Sequence, residues 1–195
     1  LPPLAGALLI TAGSAIFVVG IAQLLRIHVA LFTVTLVAGG AFWLAGNLLW
    51  MSGRTIPEVT LWWLGFLVVT VAGERLELSR MLRLRRQDEA LFALCLALIT
   101  AGMAIAMVDY TTGTRVLGAG LLAMAAWLLR YDIAWRRIKA GGQARFGALC
   151  LLSGYFWLGV GGLLALLRGG MSAGPLYDAI LHSVFVGFIF SMIFA

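Results

Sequence analysis

Residues 90–108 read ALFALCLALITAGMAIAMV, a run without a single charged side chain. The hydrocarbon core of a bilayer is about 30 Å thick, and roughly 20 apolar residues in an α-helix cross it. Strands of a membrane β-barrel would be about 10 residues long and would alternate between apolar and polar residues. This stretch does not alternate, so it predicts a transmembrane helix.

Similar apolar stretches fill most of the chain, in which 63% of the residues are hydrophobic and only 11% are charged. A water-soluble protein needs more polar residues to cover its surface. We therefore predict an all-α, polytopic transmembrane helix bundle that forms a single domain over residues 1–195. Its seven predicted spans are 4–25, 29–51, 58–79, 90–108, 115–131, 144–167 and 177–195.

The two ends of the sequence lead to a further expectation. The chain opens Leu-Pro-Pro and stops at Ala195 within an apolar run. No basic segment precedes a short apolar core, so a signal peptide is not predicted. We expect the sequence to be part of a longer or processed chain.

Basic residues are distributed unevenly over the predicted connections. The formal net charge is +6, and eleven of the 14 Lys and Arg residues lie on one side of the predicted bundle. The positive-inside rule places that side in the cytoplasm, with loops 80–89 and 130–145 facing it and the protein in a bacterial inner membrane. Anionic headgroups account for the charge, so a nucleic-acid partner is not predicted. The eleven residues are Arg26, Arg75, Arg80, Arg83, Arg85, Arg86, Arg130, Arg136, Arg137, Lys139 and Arg145.

Glycine recurs at intervals of seven residues within two spans. The sets are Gly39, Gly46 and Gly53, and Gly147, Gly154 and Gly161. Seven residues are nearly two helical turns, so each set is expected to line one face of its helix. Small residues let helix backbones approach closely in lipid, which favours helix packing at these faces. The alternative is that they leave room for a flat cofactor.

Four charged residues lie at the end of the third predicted span: Glu74, Arg75, Glu77 and Arg80. Glu74 falls near the edge of the hydrocarbon, where a carboxylate usually faces a partner, a cavity or a proton path. The alternative is a helix that continues beyond the membrane, with these charges solvated. Glu77 and Arg80 are three residues apart, a spacing that allows an ion pair. Arg75 points away from Glu74, toward another helix or a headgroup.

The two histidines are the residues best suited to bind a metal. His182 lies inside the seventh span, four residues after Asp178, so we expect Asp178 to orient the imidazole by hydrogen bonding. A histidine within an apolar helix can ligate haem or a metal, although a structural hydrogen bond is the simpler interpretation. His28 lies between the first two spans, on the opposite side from His182. The two are therefore not expected to hold one haem iron together.

The remaining polar residues in the spans indicate packing. Asn47 is expected to form hydrogen bonds between helices. Cys95 and Cys150 are expected to be small buried side chains, and the absence of a Cys-x-x-Cys pair argues against iron–sulfur clusters and structural zinc. No P-loop, dinucleotide fingerprint, zinc-protease helix or nucleophile elbow occurs, so the sequence assigns no enzymatic reaction.

Two segments together resemble a known family. Gly73–Arg80 reads GERLELSR and His182–Phe194 reads HSVFVGFIFSMIF. This pairing resembles the NnrS-type bacterial membrane proteins, which are associated with haem and copper and with nitric oxide stress. Members of that family have more helices than this chain. The chain would therefore correspond to a little over half of a family member. The resemblance implies His182 as the ligand of haem b or copper.

Three functions follow as hypotheses. The first is an NnrS-like membrane protein, haem- or metal-associated, in respiratory or nitrosative-stress metabolism. The second is a non-catalytic accessory subunit of a larger membrane complex for electron transfer, with other membrane subunits as partners. The third is a small proton-linked transporter that uses Glu74.

Overall fold

The computed structural model describes residues 3–80 and 84–195, and within these ranges all regular structure is helical. Arg83 of the predicted basic cluster lies outside the described residues. The α-helices are α1 (Pro3–Ile27), α2 (Leu31–Met51), α3 (Ile56–Ser79), α4 (Arg86–Ala106), α5 (Tyr110–Tyr131), α6 (Ala134–Arg137), α7 (Gly142–Arg168), α8 (Pro175–His182) and α9 (Ser191–Ile193). A π-helix, Ser183–Phe190, joins α8 to α9.

The predicted all-α fold with seven spans is confirmed. Within the described ranges, seven helical segments are long and apolar enough to cross a membrane. The largest difference from the predicted bounds is at the fifth span, which begins at Tyr110 instead of residue 115. Asp109 caps this helix by accepting hydrogen bonds from the backbone N–H groups of Thr111 and Thr112, so the polar first turn is helical.

The chain divides into two compact units, Leu1–Glu74 and Arg75–Ala195. The first contains α1, α2 and most of α3. The second contains the last residues of α3 and every later helix. That residues 1–195 fold as a single domain stays a prediction.

Hydrogen bonds between side chains join the three helices of the first unit. The Asn47 side chain in α2 donates to Ser14 Oγ in α1 at 3.0 Å, and its carbonyl accepts from Trp63 Nε1 in α3 at 3.0 Å. Asn47 and Ser14 are fully buried. The expectation that Asn47 bonds between helices is confirmed. Such a bond is favoured in a bilayer because water is absent there.

Four of the six glycines in the two predicted sets pack against another helix, as expected. A Cβ atom at Gly46 would lie 2.8 Å from the Trp63 ring, and one at Gly39 would meet Thr70 and the Phe66 carbonyl. Gly53 differs, because it lies in the turn after α2 with φ at +84°, a conformation that suits glycine. In the second unit, Gly154 and Gly161 of α7 face the last helical segment, and Gly147 faces Ala195, which follows that segment.

Helix α5 lies at the centre of the second unit and packs on both α4 and α7. Both neighbouring helices come closest to α5 at its glycine residues. A Cβ at Gly118 would meet the backbone of α7, 2.7 Å from the Gly162 carbonyl oxygen, and a Cβ at Gly120 would lie 2.8 Å from the Ile99 backbone nitrogen in α4. Both α4 and α7 therefore approach α5 to backbone contact.

We expect Gly118→Ala to destabilise the second unit by about 1–3 kcal/mol, because the added methyl group meets backbone atoms that cannot rotate away. The matched control is Gly159→Ala in α7, where the nearest atom would be at an ordinary 3.6 Å. Thermal unfolding of both variants in detergent, followed by circular dichroism, tests the difference. Equal stability of the two variants would contradict the close approach of α5 and α7.

Candidate functional site

The four charged residues predicted at the end of the third span occupy different environments. Helix α3 is continuous from Ile56 to Ser79. Glu74 and Glu77 are exposed on it, Arg75 is half-buried, and Arg80, directly after the helix, is exposed. Both alternatives for Glu74, a role within the membrane and a solvated helix end, stay predictions. The predicted pairing of Glu77 with Arg80 stays a prediction.

His182 is the last residue of α8 and lies directly before the π-helix. Its Nδ1 atom is 2.7 Å from the backbone carbonyl oxygen of Asp178. A carbonyl oxygen can only accept, so Nδ1 carries a proton, and in the neutral imidazole Nε2 is the nitrogen with the free lone pair. The contact comes from the main chain of Asp178, whereas its carboxylate is exposed. That the Asp178 side chain orients the imidazole stays a prediction.

The imidazole of His182 lines an open groove of about 490 Å³ in the second unit. The π-helix forms one wall and Trp157 of α7 another. Wider helical turns of this kind occur frequently at functional sites. The lining residues are Trp157, Ala179, His182, Ser183, Val186, Gly187 and Ser191.

The polar atoms of this groove are mostly occupied by the helix itself. The Ser183 hydroxyl donates to the Ala179 carbonyl at 2.7 Å, and the Ser191 hydroxyl donates to the Gly187 carbonyl at 2.6 Å. Their hydrogens therefore point to the helix backbone. His182 Nε2 is left as the strong electron-pair donor on a surface formed by small residues and the Trp157 ring.

These side chains can ligate one metal position but do not form a cage of protein ligands. Within the described ranges, no group of three or more His, Cys, Asp or Glu residues is close enough to hold a metal ion. The groove offers a single imidazole. It fits a flat group that brings most of its own ligands better than it fits a bare ion, which needs several ligands from the protein.

His28 lies in the connection between α1 and α2 and is exposed. Its ring is 6.3 Å from the Phe32 ring, the aromatic contact that the structure shows for it. It belongs to the first unit, whereas His182 belongs to the second.

A buried carboxyl group that the sequence analysis did not single out lies at the end of α5. Asp132 is 3% exposed, and its Oδ1 accepts a hydrogen bond from the Ala134 N–H at 2.8 Å. Its second oxygen and the Tyr155 hydroxyl of α7 are both buried, and neither makes a hydrogen bond of ordinary length and angle to another described residue. The sequence did offer a signal, since Asp132 is an isolated acid within the basic 130–145 connection.

Burial raises the pKa of Asp132 above its usual value. Four neighbouring groups lower this pKa without cancelling the effect of burial. They are the Ala134 N–H, the positive charge of Arg75, the Tyr155 hydroxyl and the charge of Arg137. Arg75 and Asp132 both belong to the second unit, and the positive charge of Arg75 favours the ionised form of Asp132. The prediction that Arg75 reaches another helix is consistent with this position.

A double-mutant cycle on Arg75 and Asp132 tests this compensation. We expect Arg75→Gln to lower the free energy of unfolding at pH 7, because it leaves the buried carboxylate uncompensated. Adding Asp132→Asn removes that charge. It should restore about 1 kcal/mol of the lost free energy of unfolding, because the two sites are coupled. Thermal unfolding in detergent gives the four stabilities, and strictly additive effects would contradict the interaction.

The same variants have a defined pH dependence. A carboxyl group whose pKa is raised by folding costs stability above the folded pKa, and the cost disappears as the pH falls toward the unfolded value of 3.8. Lowering the pH from 7 toward 4 should therefore favour the folded Arg75→Gln variant more than the double variant. A parallel pH response of the two would exclude Asp132 as the titrating group.

Comparison with known proteins adds one assignment. No curated protein and no solved structure matches the chain. A sequence family described as a domain of unknown function, DUF8744, matches residues 1–195. The match covers the whole sequence, and the chain therefore belongs to the DUF8744 family.

Proposed function

We propose that this protein is an NnrS-like integral membrane protein that binds haem b through His182 and acts in respiratory or nitrosative-stress metabolism. The observation that carries the proposal is the 2.7 Å contact of His182 Nδ1 with the Asp178 carbonyl. Metal-ligating histidines almost always donate their second ring N–H to such an acceptor, which fixes the tautomer and the ring orientation. His182 already has this arrangement beside an open groove.

The residues of the groove fit haem better than copper. Copper bound by protein alone would need several imidazole or sulfur ligands, and the groove supplies one imidazole. Haem brings four nitrogen ligands and needs one axial histidine from the protein. The groove therefore favours haem over a copper ion as the group bound by His182.

Each part of the groove has a separate role in this proposal. His182 would hold the iron, and the Trp157 side chain together with the small residues Ala179 and Gly187 would accommodate the flat apolar ring. When bound, the haem supplies electron transfer or the binding of a diatomic gas. The apolar walls would limit the access of water to the bound group and thereby influence its reduction potential.

Titration of the purified protein with haem tests the proposal. We expect a Soret band that His182→Ala weakens by reducing haem affinity more than about tenfold. Added imidazole should restore the band, because it enters the space that the side chain leaves. His182 is exposed, so the substitution should leave the fold intact.

Two control variants sharpen the titration. Asp178→Ala removes a carboxylate but keeps the carbonyl that bonds His182, so it should bind haem like the parent protein. His28→Ala should also have no effect. A Soret band of unchanged intensity in His182→Ala, or none in the parent protein, would exclude this site.

A second candidate function is that of an accessory subunit in a larger membrane complex. Helix α1 carries Gly6, Gly13 and Gly20 at intervals of seven, and no atom of the first unit lies within 4 Å of a Cβ built on any of them. The same spacing on α7 receives another helix. An uncovered glycine face on a helix that is otherwise exposed favours packing against a helix of another subunit.

Gly13→Leu tests this alternative. The first unit should tolerate the added side chain, because no atom of that unit surrounds it, but the larger residue should prevent a partner helix from approaching. Native electrophoresis of mildly solubilised membranes should then show a shift from a large assembly to a smaller species. If the parent chain migrates alone, the accessory-subunit proposal fails.

The remaining hypotheses have less support. A proton-linked carrier would need Glu74 to face a cavity, but Glu74 is exposed on the continuous helix α3. For localisation we propose the bacterial inner membrane, with loops 80–89 and 130–145 in the cytoplasm. The unequal distribution of Lys and Arg supports that orientation.

A further inference from the structure

A polar pocket of about 750 Å³ lies in the second unit, where α5 ends and α4 begins. It is distinct from the His182 groove and shares no residue with it. Three arginines line it, Arg85, Arg130 and Arg136, and all three are exposed. The pocket therefore presents several guanidinium groups to one volume, an arrangement suited to phosphate oxygens.

Two carboxylates also line this pocket, but both are engaged with the protein. Asp88 Oδ2 accepts a hydrogen bond from the Arg85 backbone N–H at 2.9 Å, as part of the cap of α4. Asp132 is buried and accepts from the Ala134 N–H. The three arginines thus exceed the two acids in number, and both acids already accept hydrogen bonds from the backbone.

An apolar groove of about 350 Å³ continues from the pocket along α4 and α5. Arg130 and Tyr131 belong to both, and the Arg130 guanidinium lies 5.3 Å from the centre of the Tyr131 ring. On α4 the groove extends from Leu91 to Leu98, about 10 Å at 1.5 Å per residue. Ala123 on α5 forms part of the facing wall.

We infer that this pocket and groove together bind an anionic phospholipid, with its phosphodiester on Arg85, Arg130 and Arg136 and an acyl chain in the groove between α4 and α5. The arginines match the charge of the headgroup. The apolar groove, which begins at the same residues, matches the chain attached to it. Basic pockets between transmembrane helices are established positions for anionic lipid headgroups.

The combination of the two surfaces distinguishes a lipid from free phosphate. An inorganic anion would use the arginines and leave the groove without a role. A zwitterionic lipid would fill the groove and also offer a phosphate, but its ammonium group offsets that charge and would be repelled by the excess of arginine. The site therefore selects a lipid with a net negative charge. This inference is independent of haem binding at His182.

Native mass spectrometry of the full chain in detergent, titrated with phosphatidylglycerol or phosphatidylcholine, tests the inference. We expect phosphatidylglycerol to bind at least about tenfold more tightly. The double variant Arg130→Gln/Arg136→Gln should lose that preference. The matched control, Arg54→Gln/Arg168→Gln, makes the same charge change outside the pocket and should retain it.

A second variant separates the lipid from a free anion. Ala123→Phe fills the groove but leaves the arginines in place, so it should weaken phosphatidylglycerol binding without changing competition by inorganic phosphate. A circular dichroism spectrum like that of the parent protein verifies that the helices remain. The inference is overturned by equal binding of the two lipids, by unchanged binding in the double arginine variant, or by phosphate competition together with no effect of Ala123→Phe.

Discussion

Helix association in this protein depends on backbone approach at glycine. Lipid is as apolar as leucine, so hydrophobic burial gives little drive for two helices to associate within a bilayer. Dispersion contacts must supply the attraction, and these weaken steeply with distance. Gly118 and Gly120 bring α7 and α4 to the backbone of α5. The packed helices of the second unit then define the position of every groove between them.

Polar groups act within this packing at a few defined places. Asn47 joins α1 to α3 through two hydrogen bonds, because an amide in hydrocarbon has no water to bond. Asp132 is buried at the end of α5, where it accepts a hydrogen bond from the Ala134 N–H and the charge of Arg75 favours its ionised form. The two proposed sites of the second unit use different chemistry. One offers the single imidazole of His182, and the other offers several arginines.

Much of the fold is predictable from the sequence because span length and hydropathy are local properties. All seven spans are recognisable in this way. The predicted fifth span was shorter than the helix, because Thr111, Thr112 and Gly113 lower the hydropathy of the first turn. The cap at Asp109 makes that turn helical. The glycine spacing likewise indicates the packing faces, since a repeat of seven defines one side of a helix.

What the sequence determined by itself is the helical class, the spans, the basic connections and His182 as a residue of interest. Only the tertiary structure decided which neighbours these residues have. Asp132 and Arg75 are far apart along the chain, so their interaction has no local signature. The groove beside the π-helix and the convergence of Arg85 with Arg130 and Arg136 also depend on helix packing. These are properties of distance in space, which residue types and their spacing do not specify.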